Sequence, residues 1–286
     1  MSSSLSVLYN VPSLIAENSL NNTQSSLNST LQQLSSGSRI NSGADDAAGL
    51  AIANGLQANV TALTQSVSNA NDGIGSLQVA DGALSQVTTL LNRAVTLGTE
   101  ASTGTVSSSQ RGALDAEYQQ ILSEITSIGG NTTFNGATIF AAAVGATTTT
   151  SIFLSDSSTA GTSTIGVSVS ALSASALAIA GTSLTGTPGA GGVTDPEATL
   201  ALINAAINTV SLDRGTIGAG INRLQAASNV ENTQIQNITA AESQITSADI
   251  PTVVANLSKY SILEQTGISA LTQANTAQQQ VLHLLS

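Results

Sequence analysis

The chain has 286 residues and a formal net charge of −11, and only 8% of its residues are charged. Nucleic acid and anionic membrane surfaces are bound mainly through Lys and Arg, so a chain with 6 basic residues is expected to bind neither. The absence of Cys excludes disulfides, thiol nucleophiles and thiolate metal sites. With aromatic residues at 2%, the core must come from aliphatic side chains at helical spacing, which favours thin, elongated packing.

The first helix that the pattern predicts covers about residues 20–34. One sparse apolar stripe marks it, formed by Leu20, Leu27, Leu31 and Leu34. A short helix with so thin a stripe is marginal in water, so we expect it to pair with the other end of the chain or with other subunits. Residues 1–20 have no basic start and no continuous apolar run, which argues against a secretory signal peptide, and no apolar run is long enough to span a membrane.

A much longer helix follows a connector of turn-forming residues at 35–43. Asp45 and Asp46 are expected to open this helix, where its dipole favours negative charge. Apolar residues then keep a spacing of three and four to about Ala101, apart from a register slip near Leu77 that resembles a stammer. At 1.5 Å per residue this helix would be about 80 Å long, which suits a rod.

A shorter helix and a small β region come next. The helix is predicted by Leu114, Tyr118, Ile121, Ile125 and Ile128. Gly129-Gly130-Asn131 is expected to end it in a left-handed cap. Short strands are predicted within 147–154 and 164–170, with a helical turn at 171–180 and a loop at 186–192.

The longest regular pattern begins at Asp195, which is expected to cap a helix whose first turn contains Pro196. Apolar residues recur at steps of three and four from Leu200 to Ile245, and Arg214 falls on this stripe, so we expect it to be paired with an acid. Pro251 pushes the preceding residue away from helical angles, which predicts a joint. A second helix then carries the stripe of Val254, Leu257, Ile268, Leu271, Leu282 and Leu285.

The sequence offers no catalytic constellation. His283 is the only His, and one imidazole cannot supply a zinc-protease site. Asp45 and Asp46 are better explained by helix capping than by acid–base chemistry, and the glycines at 73–82 lack the strand and the Lys of a phosphate loop. We therefore expect no enzyme activity, no cofactor and no metal.

Three strings resemble one family. Residues 34–52 read LSSGSRINSGADDAAGLAI, residues 133–136 read TFNG, and the end combines SKYSILEQTGISALTQAN at 258–275 with VLHLL at 281–285. These strings resemble the signatures of bacterial flagellins, in the correct order, over about 1–140 and 195–286. The departures are Gly43-Ala44 before Asp45, and Pro251 before the last helix.

The resemblance implies a mainly α fold: a long helical coiled-coil rod with a small β-hairpin region, and N- and C-terminal helices that pair as an inner coiled coil. The expected divisions are an N-terminal inner-core helix (1–36) that pairs with 250–286, a connector (37–46), N-terminal rod helices (47–140), a short β-rich variable region (141–194), a C-terminal rod helix (195–246) and a C-terminal inner-core segment (247–286).

The resemblance also implies a function. The chain would be a secreted structural subunit that is exported unfolded by the flagellar type III system and self-assembles into the extracellular filament for swimming. Its implied partners are other flagellin subunits, an export chaperone at the C-terminal segment, and the filament cap and hook-junction proteins. The alternative is a hook–filament junction adaptor of the same superfamily, which pairs its ends in the same way but forms no long filament.

Two sets of site residues follow. The expected polymerisation seam consists of Leu20, Leu27, Leu31, Leu34, Val254, Leu257, Ile268, Leu271, Leu282 and Leu285. We expect residues 5–34 and 253–285 to become ordered on assembly. Family members are also bound by a Toll-like immune receptor, and Arg93, Leu97 and Glu117 match the receptor-contact positions, whereas Val95 and Thr96 depart from the charged pair of strongly stimulatory members. Arg93, Leu97 and Glu117 could equally serve rod packing or subunit contacts.

Overall fold

The computed structural model describes residues 10–155 and 164–285, with side chains through residue 280. The chain divides into two compact units, which we call the terminal unit (Met1–Ala58 with Asn237–Ser286) and the central unit (Asn59–Gln236). The elements in chain order are α1 (Val11–Ser36), α2 (Ala47–Ala101), α3 (Ser108–Asn131), β1 (Thr133–Phe134), β2 (Ala137–Thr138), β3 (Thr147–Phe153), β4 (Thr164–Ser170), α4 (Pro196–Thr246) and α5 (Ile250–Leu285).

The protein is mainly α, as the sequence predicts, and is 71% helical. Helix α1 begins nine residues earlier than the Leu stripe suggests (residue 11 rather than 20). Its start is fixed by Asn10, whose side chain accepts from the Ser13 amide at 3.1 Å, and by Pro12 in the first turn. It ends at Gly37, which adopts φ +69° and donates its N–H to the Gln33 carbonyl.

Helices α1 and α5 of the terminal unit run antiparallel and contact each other, which confirms that the two ends of the chain pair. At one end, the Asn10 side-chain amide donates to the Ala274 carbonyl at 3.3 Å. Midway, a Cβ on Gly267 would lie 3.2 Å from the Leu20 Cδ1, so the helices approach closely there. At the other end, the Ala248 amide donates to the Gly37 carbonyl at 3.0 Å.

The predicted joint between the last two helices is confirmed, because α4 ends at Thr246 and α5 begins at Ile250. The intervening chain forms an antiparallel bridge between Ser38 and Ser247. The Arg39 amide donates to the Thr246 carbonyl at 2.7 Å, and the Ser38 hydroxyl donates to the same oxygen at 2.9 Å.

The acidic pair before α2 acts as a cap rather than as part of the helix. Asp46 accepts from the Gly49 amide at 2.8 Å, and α2 begins after it, with no acidic residue in its first turn. Asp45 folds back on the connector and accepts from the amides of Asn41 and Ser42 at 3.0 and 2.8 Å. These amides hold the pKa of Asp45 below its ordinary value.

The core of the central unit is built from α2, α3, α4, the inner face of the β3–β4 hairpin and the segments that follow β2 and β4, including Ile179 and Leu184. The apolar stripes predicted on the helices supply most of its fully buried side chains, including Leu77, Leu84, Leu91, Leu97, Ile125, Ile203, Ile217 and Leu224. Tyr118 is also fully buried, and its hydroxyl makes a 2.6 Å hydrogen bond with Thr182. That burial raises the pKa of Tyr118.

The predicted strands are confirmed as an antiparallel hairpin, with Thr147 opposite Ser170 and Phe153 opposite Thr164. Side chains alternate along it, so that Ile152, Val167 and Val169 are buried while the Thr and Ser side chains between them face solvent. The predicted helical turn within 171–180 is confirmed as a single turn, because the Leu177 amide donates to the Ser173 carbonyl at 3.0 Å, four residues earlier; the segment does not extend into a helix.

The predicted left-handed cap of α3 is wrong. The helix continues through Asn131, and the residue after it, Thr132, is extended. The left-handed residues come later: Asn135 (φ +50°) and Gly136 (φ +79°) form the tight turn between β1 and β2. Gly129 is instead required for close packing, because a Cβ there would overlap the Leu172 carbonyl oxygen.

Asp195 organises the loop that precedes α4 and is expected to make stability depend on pH. Its carboxylate accepts from the amides of Gly191 (2.7 Å), Glu197 (3.0 Å) and Gly189 (3.2 Å), and only 3% of the residue is exposed. The Gly191 hydrogen bond above all, against the opposing effect of burial, holds the pKa of Asp195 below its ordinary value.

A carboxyl whose pKa is lowered in the folded state stabilises that state above its unfolded pKa, and this contribution is lost as the pH falls through the folded value. We therefore expect Asp195→Asn to destabilise the protein near neutral pH and to reduce the loss of stability below about pH 4. Urea unfolding at a series of pH values measures both effects. An unchanged pH profile in the variant would contradict this role.

Candidate assembly interface

The structure places the predicted seam residues on two different faces of the α1–α5 pair. Leu20, Leu27, Leu34, Leu257 and Leu271 are buried or half-buried in the terminal unit. Leu31, Val254 and Ile268 are exposed, the last by 51%. Leu282, Leu285 and the lone His283 lie outside the residues whose side chains are described. The seam therefore combines residues that face the partner helix with residues that face solvent.

Sequence reasoning missed a further set of apolar residues on the same two helices. Leu14 and Ile15 are 57% and 63% exposed, and Ile262 is 61% exposed. The other exposed members are Val11, Ile250 and Leu263. The sequence could have revealed these exposed residues, because Leu14-Ile15 and Ile262-Leu263 are adjacent apolar pairs. Two adjacent residues cannot both lie on one narrow face of a helix, so at least one of each pair must lie off the apolar stripe.

Together these nine side chains form what we call the exposed apolar set: Val11, Leu14, Ile15, Leu31, Ile250, Val254, Ile262, Leu263 and Ile268. Few side chains of the same helices are buried; among the described residues of α1 they are Leu27 and Thr30. Exposed aliphatic side chains in this number, on two paired helices that bury few others, make this face a candidate site of protein–protein interaction. The pairing of α1 with α5 thus leaves much of the apolar surface of both helices without a covering partner within the chain.

The three candidate receptor contacts lie together in the central unit, but they differ in accessibility. The Arg93 guanidinium on α2 binds the Glu117 carboxylate on α3 through two hydrogen bonds, Nε to Oε1 at 2.7 Å and Nη2 to Oε2 at 3.0 Å. Both side chains are exposed, and the hydrogen bond from Arg93 lowers the pKa of Glu117. Leu97 is completely buried in the core, so only Arg93 and Glu117 offer side-chain atoms to a partner.

The expected pairing of Arg214 is confirmed. Its guanidinium on α4 binds the Asp81 carboxylate on α2 through Nε at 2.8 Å and Nη2 at 3.3 Å. This hydrogen-bonded ion pair explains how a cation can occupy the apolar stripe, because its charge is balanced beside the core. It joins α4 to α2 within the central unit.

A second polar contact between α2 and α4 is buried. The Ser66 hydroxyl donates to Glu231 Oε1 at 2.7 Å, and both residues are buried. Glu231 Oε2 is also buried and has no hydrogen-bond partner among the described residues. Such a group contributes less stability than a well-packed apolar residue would, because its desolvation is only partly offset.

Removing only the donor at this contact is expected to lower the stability of the central unit, whereas removing both polar groups is expected to restore it. Ser66→Ala alone should destabilise the central unit by about 1–3 kcal/mol, since the Glu231 carboxylate loses its donor. Combining Ser66→Ala with Glu231→Met removes both polar groups and should recover that loss or exceed it by about 1 kcal/mol or more. Chemical unfolding measures each change, and Ser211→Ala on the solvent face of α4 is the control, with little effect expected. A double variant less stable than Ser66→Ala would contradict this account.

A groove of about 800 Å³ opens beside α2 in the central unit, between the two hairpins. Its walls include Asp72 and Ser76 of α2, Asn135 of the β1–β2 turn, and the strand β3. The Asn69 side chain donates to the Phe153 carbonyl at 3.3 Å at one margin. The groove is lined mainly by uncharged polar and apolar groups. Within the described residues, no cluster of His, Asp or Glu has the composition of a metal site.

Comparisons with known proteins agree with this architecture. Residues 7–144 match the family described as the bacterial flagellin N-terminal helical region, and residues 200–285 match the bacterial flagellin C-terminal helical region. The chain is 30% identical over 284 residues to the flagellar filament 33 kDa core protein of Treponema phagedenis, covering 97% of this chain and 98% of that protein. It is 32% identical over 283 residues to the flagellin of Listeria monocytogenes, with the same coverage.

Shorter matches are confined to part of the chain. The flagellin of Escherichia coli K12 is 46% identical over 129 residues, which cover 45% of this chain and 26% of that protein. The crystal structure of Bacillus cereus flagellin aligns with a TM-score of 0.48 and 28% identity, covering 61% of this chain and 94% of that one.

These matches define the class of the molecule as a structural protein of bacterial flagella. The chain belongs to the bacterial flagellin family. Its role is that of a filament subunit, and proteins of this family form homopolymers in extracellular flagellar filaments. Within the described part of the chain, no helix has the length and hydropathy needed to cross a membrane.

Proposed function

We propose that this protein is exported unfolded through the flagellar type III channel and self-assembles into the helical filament used for swimming. The single observation that supports self-assembly best is the exposed apolar set on α1 and α5, because a helix pair that leaves so many aliphatic side chains in water gains free energy by associating with further copies. The lack of Cys is compatible with export as an unfolded chain.

In the proposed filament, residues 1–36 and 247–286 form the inner core. The segments 47–140 and 195–246 form the rod around it, with 37–46 as the connector and 141–194 as the short outer region. The antiparallel contact of α1 with α5 supports the pairing of the two core segments. This assignment commits the exposed apolar set to contacts between subunits.

The test of self-assembly uses purified full-length protein and short filament seeds. We expect monomer to be consumed above a critical concentration and filaments to lengthen, measured by sedimentation and electron microscopy. A junction adaptor would bind the seed ends in a single layer without elongation. Absence of both elongation and end binding would overturn the proposal.

The terminal segments 5–34 and 253–285 are proposed to become fully ordered only on assembly. Support comes from the small number of buried side chains on α1, since a helix that buries so little is held weakly. Hydrogen exchange is expected to show fast-exchanging terminal amides in dilute monomer and slow exchange in filaments. Protection of these amides in dilute monomer would contradict this proposal.

Further partners follow from the same role. We propose that an export chaperone binds the α5 segment, and that the filament cap and the hook-junction proteins contact the ends of the assembly. For the Toll-like receptor, the structure leaves the ion pair of Arg93 with Glu117 as the accessible feature, with Leu97 in the core beneath it. Binding of monomer to the receptor ectodomain, compared between the wild-type chain and Glu117→Gln, tests this contact.

A further inference from the structure

We propose that Asn135 in the β1–β2 turn is a site of spontaneous deamidation, which turns an uncharged side chain at the groove into a carboxylate as the protein ages. The dipeptide Asn135-Gly136 occupies the two central positions of a tight hairpin turn, closed by the pairing of Phe134 with Ala137. Both central residues have positive φ, +50° and +79°. This inference does not depend on the proposed function.

The turn leaves the reacting groups accessible. Asn135 and Gly136 are both exposed, and a Cβ placed on Gly136 would meet no atom within 4 Å. In a two-residue hairpin the central amides take no part in the strand ladder. The Gly136 nitrogen is therefore free to act as a nucleophile, and the missing side chain lets it approach the neighbouring amide.

The flanking residues hold the hairpin in place while its tip stays open. The Phe134 ring lies beside α2, 3.7 Å from the Cβ position of Gly75, and Ile139 is buried in the core. Because the base of the turn is anchored in this way, a change at its tip is transmitted to β1 and β2 and not absorbed by a loose loop.

The reaction needs only water as a co-reactant. The Gly136 nitrogen attacks the Asn135 Cγ, the new C–N bond closes a succinimide, and the bond from Cγ to Nδ2 breaks. Ammonia leaves with the proton from the Gly136 nitrogen. Water then opens the ring at either carbonyl, which gives aspartate or isoaspartate and adds one negative charge.

The products differ from Asn135 in two ways that affect the groove. The new carboxylate lies on the same groove as Asp72, in a chain whose formal charge is already −11. Like charges lining one cavity oppose each other. The isoaspartyl product also lengthens the backbone by one atom, which is incompatible with the two-residue turn and should open it.

The chain contains its own control. Asn54-Gly55 is the same dipeptide, both its residues are exposed, and a Cβ on Gly55 would also meet nothing within 4 Å. It lies inside α2, where the Gly55 amide is tied to the carbonyl four residues earlier. The two sites therefore differ in backbone conformation and not in sequence or exposure.

The experiment incubates full-length native protein in mildly alkaline buffer and follows both sites by peptide mass spectrometry, with a parallel incubation in denaturant. In denaturant the two sites should react at similar rates. In native protein Asn135 should react at least about tenfold faster than Asn54, which corresponds to about 1.4 kcal/mol in the barrier. Asn135→Gln should remove the signal at that position and leave Asn54 unchanged. Equal rates at the two sites in native protein, or no product at Asn135, would overturn the proposal.

Discussion

Removal of residues 250–286 is expected to abolish polymerisation while leaving the central unit folded. The truncation deletes α5, which carries five of the nine members of the exposed apolar set (Ile250, Val254, Ile262, Leu263 and Ile268), and deprives α1 of its partner. The core of the central unit draws its buried side chains from α2, α3, α4, the β3–β4 hairpin and the segments that follow β2 and β4, none of which is removed. Thermal unfolding should therefore still show a cooperative transition, while seeded elongation should be absent.

Point variants separate the contribution of apolar contacts from the loss of a whole helix. Burying an Ile side chain fully is worth about 1.5–3 kcal/mol, so Ile262→Ser and Ile15→Ser should each raise the critical concentration by about 10- to 100-fold. The matched control is Gln273→Ala on α5, an exposed polar residue, for which little change is expected. Normal filaments from the truncated chain, or an equal effect of Ile262→Ser and Gln273→Ala, would contradict the assigned interface.

Substituting Ala at two neighbouring glycines in α3 is expected to change the free energy of unfolding in opposite directions. Gly129→Ala should destabilise the central unit by about 1–3 kcal/mol, because the added Cβ would overlap the Leu172 carbonyl oxygen and force the helix and the loop apart. Gly130→Ala should stabilise it by about 0.5–1 kcal/mol, since its Cβ meets no atom within 4 Å and Ala is the better helix former.

Urea unfolding of the two variants measures this difference directly. The glycines share their helix, their neighbours in sequence and the size of the change, so that a general effect of Ala on α3 would shift both in the same direction. If Gly129→Ala were as stable as Gly130→Ala, the close approach of α3 to Leu172 would be wrong.

The helices were predictable because the spacing of apolar residues along the sequence shows directly which face of each helix is buried. The residues from Leu200 to Ile245 keep one spacing, and the structure buries the same face of α4. The hairpin β3–β4 was predictable for the same reason, since alternation is visible within each strand. The ion pair of Arg214 could be expected because a cation on an apolar stripe needs a partner, although its identity, Asp81, depends on the register of two distant helices.

The errors arose where tertiary packing decides the outcome. Gly129-Gly130 resembles a helix cap, but the approach of Leu172 requires a glycine inside the helix, and this contact is not visible in the local sequence. The start of α1 at Val11 was not predicted because the single stripe from Leu20 to Leu34 does not include Leu14 and Ile15, which are exposed. The residues that we assign to contacts between subunits do not follow the spacing that burial within the chain imposes on the Leu stripe.

The short bridge at Ser38 and Ser247 determines how the terminal unit responds to tension. The backbone hydrogen bonds that join Gly37 to Ala248 and Arg39 to Thr246 tie the end of α1 to the segment just before α5. A pull on either helix therefore reaches the other through these bonds before it can stretch the connector at 40–46. In the proposed filament, mechanical strain on one terminus would therefore be shared by α1 and α5, and a subunit under the torque of a rotating flagellum would resist it with both helices.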